Sequence, residues 1–327
     1  MKILITGGAG YIGSHVLKAL LKQGGHEITV IDNLSKGSSQ AIKTLENIGE
    51  FEFVMANLED DLSEIFARGK FDAIIHFAAF IEVFESTQEP LKYYLNNTAN
   101  VAKILTYCQK FGVNKFVFSS TAAVYGEPDV PEVTEQSAAN PINPYGRSKL
   151  MSEQIIKDYA ASNENFKFAI LRYFNVAGAD EEGLIGQNYP NATHLIKVAV
   201  QTALGKRESM GIFGDDYATK DGTCVRDYIH VSDLADAHIS ALEYISQNGS
   251  ETFNVGYGRG FSVKEVIETA KKVSGVNFKV LNAPRRDGDP AILISNASKL
   301  RSLTSWRPKR DDLALIIKTA LEWEKRI

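Results

Sequence analysis

A short apolar strand, Lys2 to Thr6, runs straight into Thr6-Gly7-Gly8-Ala9-Gly10-Tyr11-Ile12-Gly13, and an apolar-periodic helix follows. Gly7 permits the tight turn, Gly10 lets the backbone approach a pyrophosphate, and Gly13 allows the helix to pack closely on the strand. The helix N-terminus then offers free N–H groups and a partial positive charge to the phosphates. About twenty residues on, Asp32 closes a second strand, where a carboxylate accepts hydrogen bonds from the adenosine ribose hydroxyls and repels a 2′-phosphate. The two features together predict NAD rather than NADP.

The first half continues this alternation of β-branched or aromatic runs with helical stretches. Strands are expected at Lys2 to Thr6, Glu27 to Asp32, Phe51 to Asn57, Phe71 to Ala78, Lys115 to Ser120 and Phe166 to Phe174. Helices are expected to start near Tyr11, Asp61, Pro90 and Tyr145, with Gly24-Gly25 and Gly112 as stops. Nearly continuous apolar strands imply helices on both faces, an α/β Rossmann-type doubly wound parallel sheet. Beyond Asn175 glycine, asparagine and proline spread out, and a smaller mixed α/β C-terminal substrate lobe is expected. The division is 1–175 for NAD binding, with 227–246 returning to it, and 176–327 for the substrate.

Bulk properties exclude several roles. With 44% apolar and 23% charged residues over 327 positions the chain has the composition of an ordinary globular protein. A net charge of -4 leaves no excess of cations for a nucleic acid. Cys108 and Cys224 are the only cysteines, without disulfide-framework or metal-ligand spacing, and the six histidines show none either. The N-terminal apolar run is too short for a signal peptide and no long apolar span follows, so a cytoplasmic protein without membrane or metal is expected.

Tyr145-Gly146-Arg147-Ser148-Lys149 sets a phenol and an ammonium four residues apart at a helix start, hence on one face. A free tyrosine titrates at about pH 10, and a neighbouring Lys149 with a cationic nicotinamide would favour its phenolate. Tyr145 is then able to take a hydroxyl proton while hydride leaves. Thr121, at the carboxyl end of Phe116-Val117-Phe118-Ser119-Ser120-Thr121, lies where open parallel sheets hold ligands and can hydrogen-bond the reacting oxygen.

The glycine loop, Asp32, the Ser119 to Gly126 segment and Tyr145 to Lys149 resemble the extended short-chain dehydrogenase/reductase family. Leu171-Arg172-Tyr173-Phe174-Asn175, Ile212 to Tyr217, Asp221-Gly222-Thr223, Val225 to His230 and Ala283-Pro284-Arg285-Arg286 extend the match, along nearly the whole chain, to its UDP-glucose 4-epimerase branch. The resemblance implies a tightly held NAD, oxidation of a UDP-sugar at C4, rotation of the 4-keto sugar and return of hydride to its other face. Gly7, Gly10, Tyr11, Ile12 and Gly13 would hold the pyrophosphate region, Asp32 and Asn33 the adenosine ribose, and Asn57 with Leu58 the adenine. Phe77, Ala78, Ala79, an N-cap-like Asn96 and Phe174 would line the rest of the cofactor, and Lys149 would also touch the nicotinamide ribose. For the substrate, Arg226 and Arg286 would meet the diphosphate, Asp289 the uridine ribose, Phe213 the uracil, and Asn175 and His194 polar parts of the ligand. A homodimer through the helices after Pro90 and Tyr145 is implied as well.

Three positions depart from the family pattern. Asn57 replaces a frequent aspartate, and Ile81 stands where relatives place a lysine near the cofactor phosphates, so incomplete NAD retention is expected. Leu293, in Asp289-Pro290-Ala291-Ile292-Leu293, takes a position often held by a bulky tyrosine that bounds the sugar pocket. It leaves room for a 2-acetamido group, and activity on UDP-GlcNAc/UDP-GalNAc as well as the plain UDP-hexoses follows. Nucleotide-sugar 4,6-dehydratases carry an acidic pair after the strand-end threonine, whereas this chain has Ala122-Ala123. Decarboxylation of a UDP-glucuronate ranks below epimerisation for the same reason. A non-catalytic NAD-sensing regulator would not need Tyr145, Lys149 and Thr121 together.

Overall fold

A computed structural model describes residues 1–189, 192–286 and 289–327. The chain opens with β1 (Lys2–Thr6), α1 (Tyr11–Gln23), β2 (Glu27–Asp32), α2 (Ser39–Glu46), β3 (Glu52–Met55), α3 (Ser63–Gly69) and β4 (Ala73–His76). Short helices α4 (Val83–Gln88) and α5 (Pro90–Tyr93) lead through a π-helical turn, Tyr94–Ala99, into α6 (Asn100–Phe111). Then come β5 (Lys115–Ser119), a 3-10 turn at Ala122–Tyr125, β6 (Glu132–Val133), α7 (Pro144–Ser162) and β7 (Lys167–Tyr173). Gly24 and Gly112, both at positive φ, end α1 and α6.

The remainder comprises β8 (Asn175–Ala177), α8 (Leu195–Ala203), β9 (Met210–Phe213), β10 (Val225–His230), α9 (Val231–Gln247), β11 (Glu251–Val255), β12 (Gly260–Ser262), α10 (Val263–Ser274), β13 (Val280–Ala283), β14 (Ile292–Ser295), α11 (Ser298–Leu303) and α12 (Leu313–Glu324). The main sheet has seven parallel strands in the order β11-β7-β5-β4-β1-β2-β3. Its order reverses between β1 and β4, and ligands of such sheets sit in the crevice at that point. Two apolar clusters cover its faces, one built on α1 and α9 and the other on α3, α6 and α7. A second, mixed sheet runs β12-β10-β14-β6 with β8 on β10, and β13 pairs with β9.

Several boundaries differ from the sequence reading. The strands expected at Phe51 to Asn57 and Phe71 to Ala78 are shorter because their ends leave the ladder. The Asn57 N–H goes to the Asp60 carboxylate, and the Phe77 and Ala78 N–H groups both reach the Thr6 carbonyl. Helix α2, for which no start was expected, is capped by Ser38, whose side chain accepts from the Ala41 N–H. Of the segment expected to return to the first lobe, α9 lies against α1, β5 and β7, whereas β10 stays in the second sheet. The chain returns once more at β11, which adds the outermost main-sheet strand from residues assigned to the second lobe.

The C-terminal helix holds α8, whose start carries His194. Glu324, 2% exposed, accepts from the buried Lys197, from Lys206 at 3.0 Å and from Gln201 at 3.2 Å. Burial pushes its carboxyl up, but the hydrogen bonds from the two lysines outweigh this and hold it below the ordinary glutamate value. The stabilisation is therefore present above the unfolded-state range and is lost as pH falls through the folded-state value. Glu324→Ala leaves the buried Lys197 without its counter-charge and is expected to cost about 3–5 kcal/mol. Thermal denaturation checks this, with a Tm gap to the parent that is wide at neutral pH and narrows in acid; a gap independent of pH contradicts it.

Candidate active site

At Gly7 and Gly13 the loop leaves no room for a side chain. Gly7 has φ 74, and a Cβ on it would lie 2.6 Å from the Ala78 nitrogen. A Cβ on Gly13 would lie 2.3 Å from the Gly7 carbonyl oxygen, so α1 rests directly on the loop. Gly10 is the N-cap of α1, in extended conformation, and no side chain caps the helix end. That leaves the first N–H groups of α1 for an anion, and the cradle fits a dinucleotide pyrophosphate.

Asp32 is buried at the end of β2, where its carboxylate accepts from the Ala9 N–H at 3.0 Å and the Leu34 N–H at 2.8 Å. It braces the loop, and burial raises its pKa despite those bonds. The Asn33 amide donates to the Asn57 Oδ1 at 3.0 Å, which joins the expected ribose and adenine contacts at one edge, with Leu58 buried beside them. Ile12 packs on the core, and the Tyr11 hydroxyl donates to the Gly178 carbonyl at 2.6 Å, tying the loop to the second lobe. The Phe77 and His238 ring centroids are 4.9 Å apart, and Ala78 and Ala79 are half-buried beyond β4. Asn96 is not an N-cap: it lies within the π-helical turn and donates to the Asn97 Oδ1 at 2.9 Å.

Tyr145 enters α7 behind Pro144 at the first turn, and the Asn143 side chain caps that turn by accepting from the Gly146 N–H at 2.8 Å. The phenol is 8% exposed; burial raises its pKa, and a hydrogen bond with the Thr121 side chain opposes the rise. One turn on, Lys149 is buried, with its Nζ donating to the Ser119 carbonyl at 2.8 Å and lying 4.8 Å from the Phe118 ring centroid. Burial lowers its pKa to about 7 while the Glu153 carboxylate pulls it upward. Thr121 also caps the 3-10 turn by accepting from the Ala123 N–H at 3.1 Å. The three residues named from sequence therefore meet at the carboxyl end of β5.

The expected substrate residues form three groups. Asn175, on β8, and His194 line one cleft with Gln187, whose amide nitrogen is 3.1 Å from the His194 Nδ1. On β10 and β14, Arg226 and Leu293 are register partners, and the Arg226 Nη2 is 3.5 Å from the Asp289 carboxylate. Leu293 packs in one cluster with Ala122, Val124 and Phe174, which joins this group to the Thr121 end of the site. Phe213 and Arg286 stand farther along, the guanidinium 3.6 Å over the ring. Among the described residues, no three or more His, Cys, Asp or Glu gather in a way able to hold a metal ion.

A family model described as the NAD dependent epimerase/dehydratase family matches residues 3–256. The chain belongs to this family. Among its curated relatives, the UDP-glucose 4-epimerase of Azospirillum brasilense is 50% identical over 327 residues, covering 100% of this chain and 92% of the relative. Among solved structures, the UDP-Glc/GlcNAc 4-epimerase of Campylobacter jejuni is 61% identical, with TM-score 0.88 and 99% of both chains covered. The UDP-glucose 4-epimerase of Bifidobacterium longum, solved with NAD+ and UDP, is 35% identical with TM-score 0.95, covering 99% of this chain and 98% of that one. As a member of the NAD-dependent epimerase/dehydratase family the chain is an enzyme that uses NAD.

Sequence reasoning missed three supports of this site. Asn97 is 1% exposed and holds the Phe80 backbone through both N–H and carbonyl, at 2.8 and 2.9 Å. Its buried amide gave no sequence signal. Asn143-Pro144 carries a helix-start signature just ahead of Tyr145. Lys36, beyond Asp32, is held by Glu82 at 3.3 Å and by Tyr189. Ile81 is 46% exposed and brings no charge to the cradle, while Lys36 is already engaged. The purified protein is expected to hold less than one NAD per chain, measured as NAD released by acid precipitation; full occupancy after extensive dialysis contradicts this.

Proposed function

We propose that this NAD-dependent enzyme is a UDP-glucose 4-epimerase that interconverts UDP-galactose and UDP-glucose in galactose metabolism and also accepts UDP-GlcNAc/UDP-GalNAc. The observation that carries the reading is the convergence of Thr121, Tyr145 and Lys149 at the end of β5, with only Ala122 and Ala123 following Thr121. Bound NAD supplies a hydride acceptor and donor for the sugar C4. Tyr145 takes the proton of the C4 hydroxyl and later returns it, Thr121 orients that oxygen, and the cationic form of Lys149 favours the phenolate. Elimination of water needs a further acid and base beside Thr121, and alanines offer neither.

Arg226 and Arg286 supply the cations for a UDP diphosphate, Asp289 accepts from the ribose hydroxyls, Phe213 takes the uracil, and Asn175 and His194 hydrogen-bond the ligand. Leu293, short and apolar in the wall shared with Ala122, leaves the 2-position of the sugar space. The high similarity to a protein described as a UDP-Glc/GlcNAc 4-epimerase supports the same breadth. Exposed Leu91, Leu95 and Met151 on the helices after Pro90 and Tyr145 support a homodimer through that face. Buried, unpaired Cys108 and Cys224 agree with a reducing cytoplasm. No helix among the described residues is long and apolar enough to cross a membrane.

Product analysis with UDP-galactose and UDP-GalNAc tests the reading. The expected products are UDP-glucose and UDP-GlcNAc, and Tyr145→Phe should lower kcat by about 10²–10⁴-fold. Binding of UDP-galactose without turnover would instead favour an NAD-sensing regulator. Leu293→Tyr is expected to lower kcat/KM for the N-acetylated pair by about tenfold or more while sparing the plain pair. Equal losses on both pairs would remove Leu293 from the specificity argument.

A further inference from the structure

One face of α7 meets the end of β5 three times. Tyr145 meets Thr121, Lys149 holds the Ser119 carbonyl at 2.8 Å, and Glu153 accepts from the Ser120 hydroxyl at 2.5 Å. The three helix residues are spaced four apart and so lie one turn above another. They engage three consecutive residues at the strand end. The first two contacts belong to the groups proposed to react, and the third touches neither substrate nor cofactor in that scheme, Glu153 acting on Lys149 only through its charge.

Glu153 is fully buried, and its carboxylate is gripped by Arg172, itself 4% exposed. The Arg172 Nε lies 2.9 and 3.2 Å from the two carboxylate oxygens, and its Nη2 donates at 2.6 Å. Beyond it, the Arg172 Nη1 donates to the Tyr125 hydroxyl at 3.1 Å, and that hydroxyl donates to the Asn254 Oδ1 at 2.6 Å. The Asn254 amide nitrogen ends the chain on the Val133 carbonyl at 2.9 Å. Lys157 reaches the same carboxylate from the solvent side at 3.6 Å. The network thus spans the residue after β5, α7, β7, the 3-10 turn, β11 and β6. A buried ion pair adds little net stability over apolar packing of the same shape. What this one adds is a fixed direction for a single acceptor, aimed at Ser120.

We propose that Glu153 is a positioning residue of the epimerase site: by holding the Ser120 hydroxyl it locks the end of β5 against α7 and so sets the spacing of Thr121, Tyr145 and Lys149. Ser120 lies between the carbonyl that holds Lys149 and the hydroxyl that meets Tyr145, so a shift at Ser120 displaces both. The assignment rests on the reaction proposed above for that site. Small displacements of oriented groups are costly in rate even when binding is untouched.

Ser120→Ala tests this, because it removes the hydroxyl and leaves the Glu153–Arg172 pair intact. In the NAD-bound protein, kcat with UDP-galactose is expected to fall about ten- to a hundredfold while KM stays within about twofold. The titration of Tyr145, read as the tyrosinate absorbance difference between each protein and its Tyr145→Phe counterpart, is expected to move to higher pH. Glu153→Gln, which also removes the charge that pulls the Lys149 pKa upward, should lose kcat at least as far, and the Ser120→Ala/Glu153→Gln double variant should lose no more than Glu153→Gln alone, because Ser120 acts on the site through Glu153. A Ser120→Ala protein with the parent's kcat and Tyr145 titration overturns the proposal, as do additive losses in the double variant. If the parent itself fails to turn over UDP-galactose, the proposed reaction falls, and the Tyr145 titration still decides the positioning role.

Discussion

The ammonium of Lys149 lies almost wholly out of solvent, and the oxygen that receives it is the Ser119 carbonyl, 2.8 Å away. Moving a cation out of water is unfavourable unless a fixed dipole meets it, and here that dipole is the last peptide of a central strand. The arrangement depends on β5 lying between β4 and β7 in a parallel sheet, because only then do its final backbone groups point past the ladder. It depends equally on α7 starting behind Asn143-Pro144, which places Tyr145 in the first turn and Lys149 in the second. With its pKa brought to about 7 by burial, Lys149 sits where a modest change in its surroundings changes its charge at neutral pH. The cofactor cradle is a neighbour of this site for a topological reason: β1 and β4 flank the point where strand order reverses, and β5 is next in line.

The proposed UDP-sugar site needs walls on the far side of that crevice, and the chain offers them by crossing over more than once. Residues after β7 enter the second sheet at β8, α9 comes back beneath the main sheet, and β11 completes its edge before β12 leaves again. Such interleaving holds the lobes together more firmly than a linker would. The Tyr11 hydroxyl on the Gly178 carbonyl and the Lys18 ammonium on Asp180 and Glu182 fasten α1 to the second lobe beside the cofactor loop. Leu293 against Ala122 and Phe174 does the same beside the reacting groups. A substrate bound where proposed would meet walls whose spacing is set by the covalent path of the chain.

What the sequence made legible was whatever local chemistry enforces. Positive-φ glycines at helix ends, apolar runs buried on both faces and a glycine loop between strand and helix each carry their own signal, and β1, β2 and the start of α1 stand where that signal put them. That Tyr145 and Lys149 would share one face was legible because they are separated by one helical turn. Features set by tertiary geometry were not. The β11 edge strand needs a partner 82 residues away, as the Ser250 hydroxyl on the Phe168 N–H illustrates. Glu153 reads as an ordinary charged helix residue until Arg172, from another strand, is seen to cover it. Asn96 and Asn97 are neighbours of the same type, and only the π-helical turn decides which one is buried.

The two alanines after Thr121 act on the site through what they leave out. The Thr121 Oγ1 already serves the backbone, capping the 3-10 turn through the Ala123 N–H, and Ala122 is buried against Leu293 and Phe174. A carboxylate at either position would bring negative charge toward the Tyr145 phenol, which burial already keeps protonated, and would oppose the phenolate that proton abstraction needs. With alanines there, the group of the trio able to carry positive charge is Lys149, whose cationic form favours that phenolate in the proposed reaction. In the proposed reaction the pair therefore keeps the field around Tyr145 suited to moving one proton between one oxygen and one phenol, and it provides no second group to carry away a hydroxide. A site arranged in this way can oxidise a carbinol and reduce it again, and that reversibility is the requirement of an epimerisation.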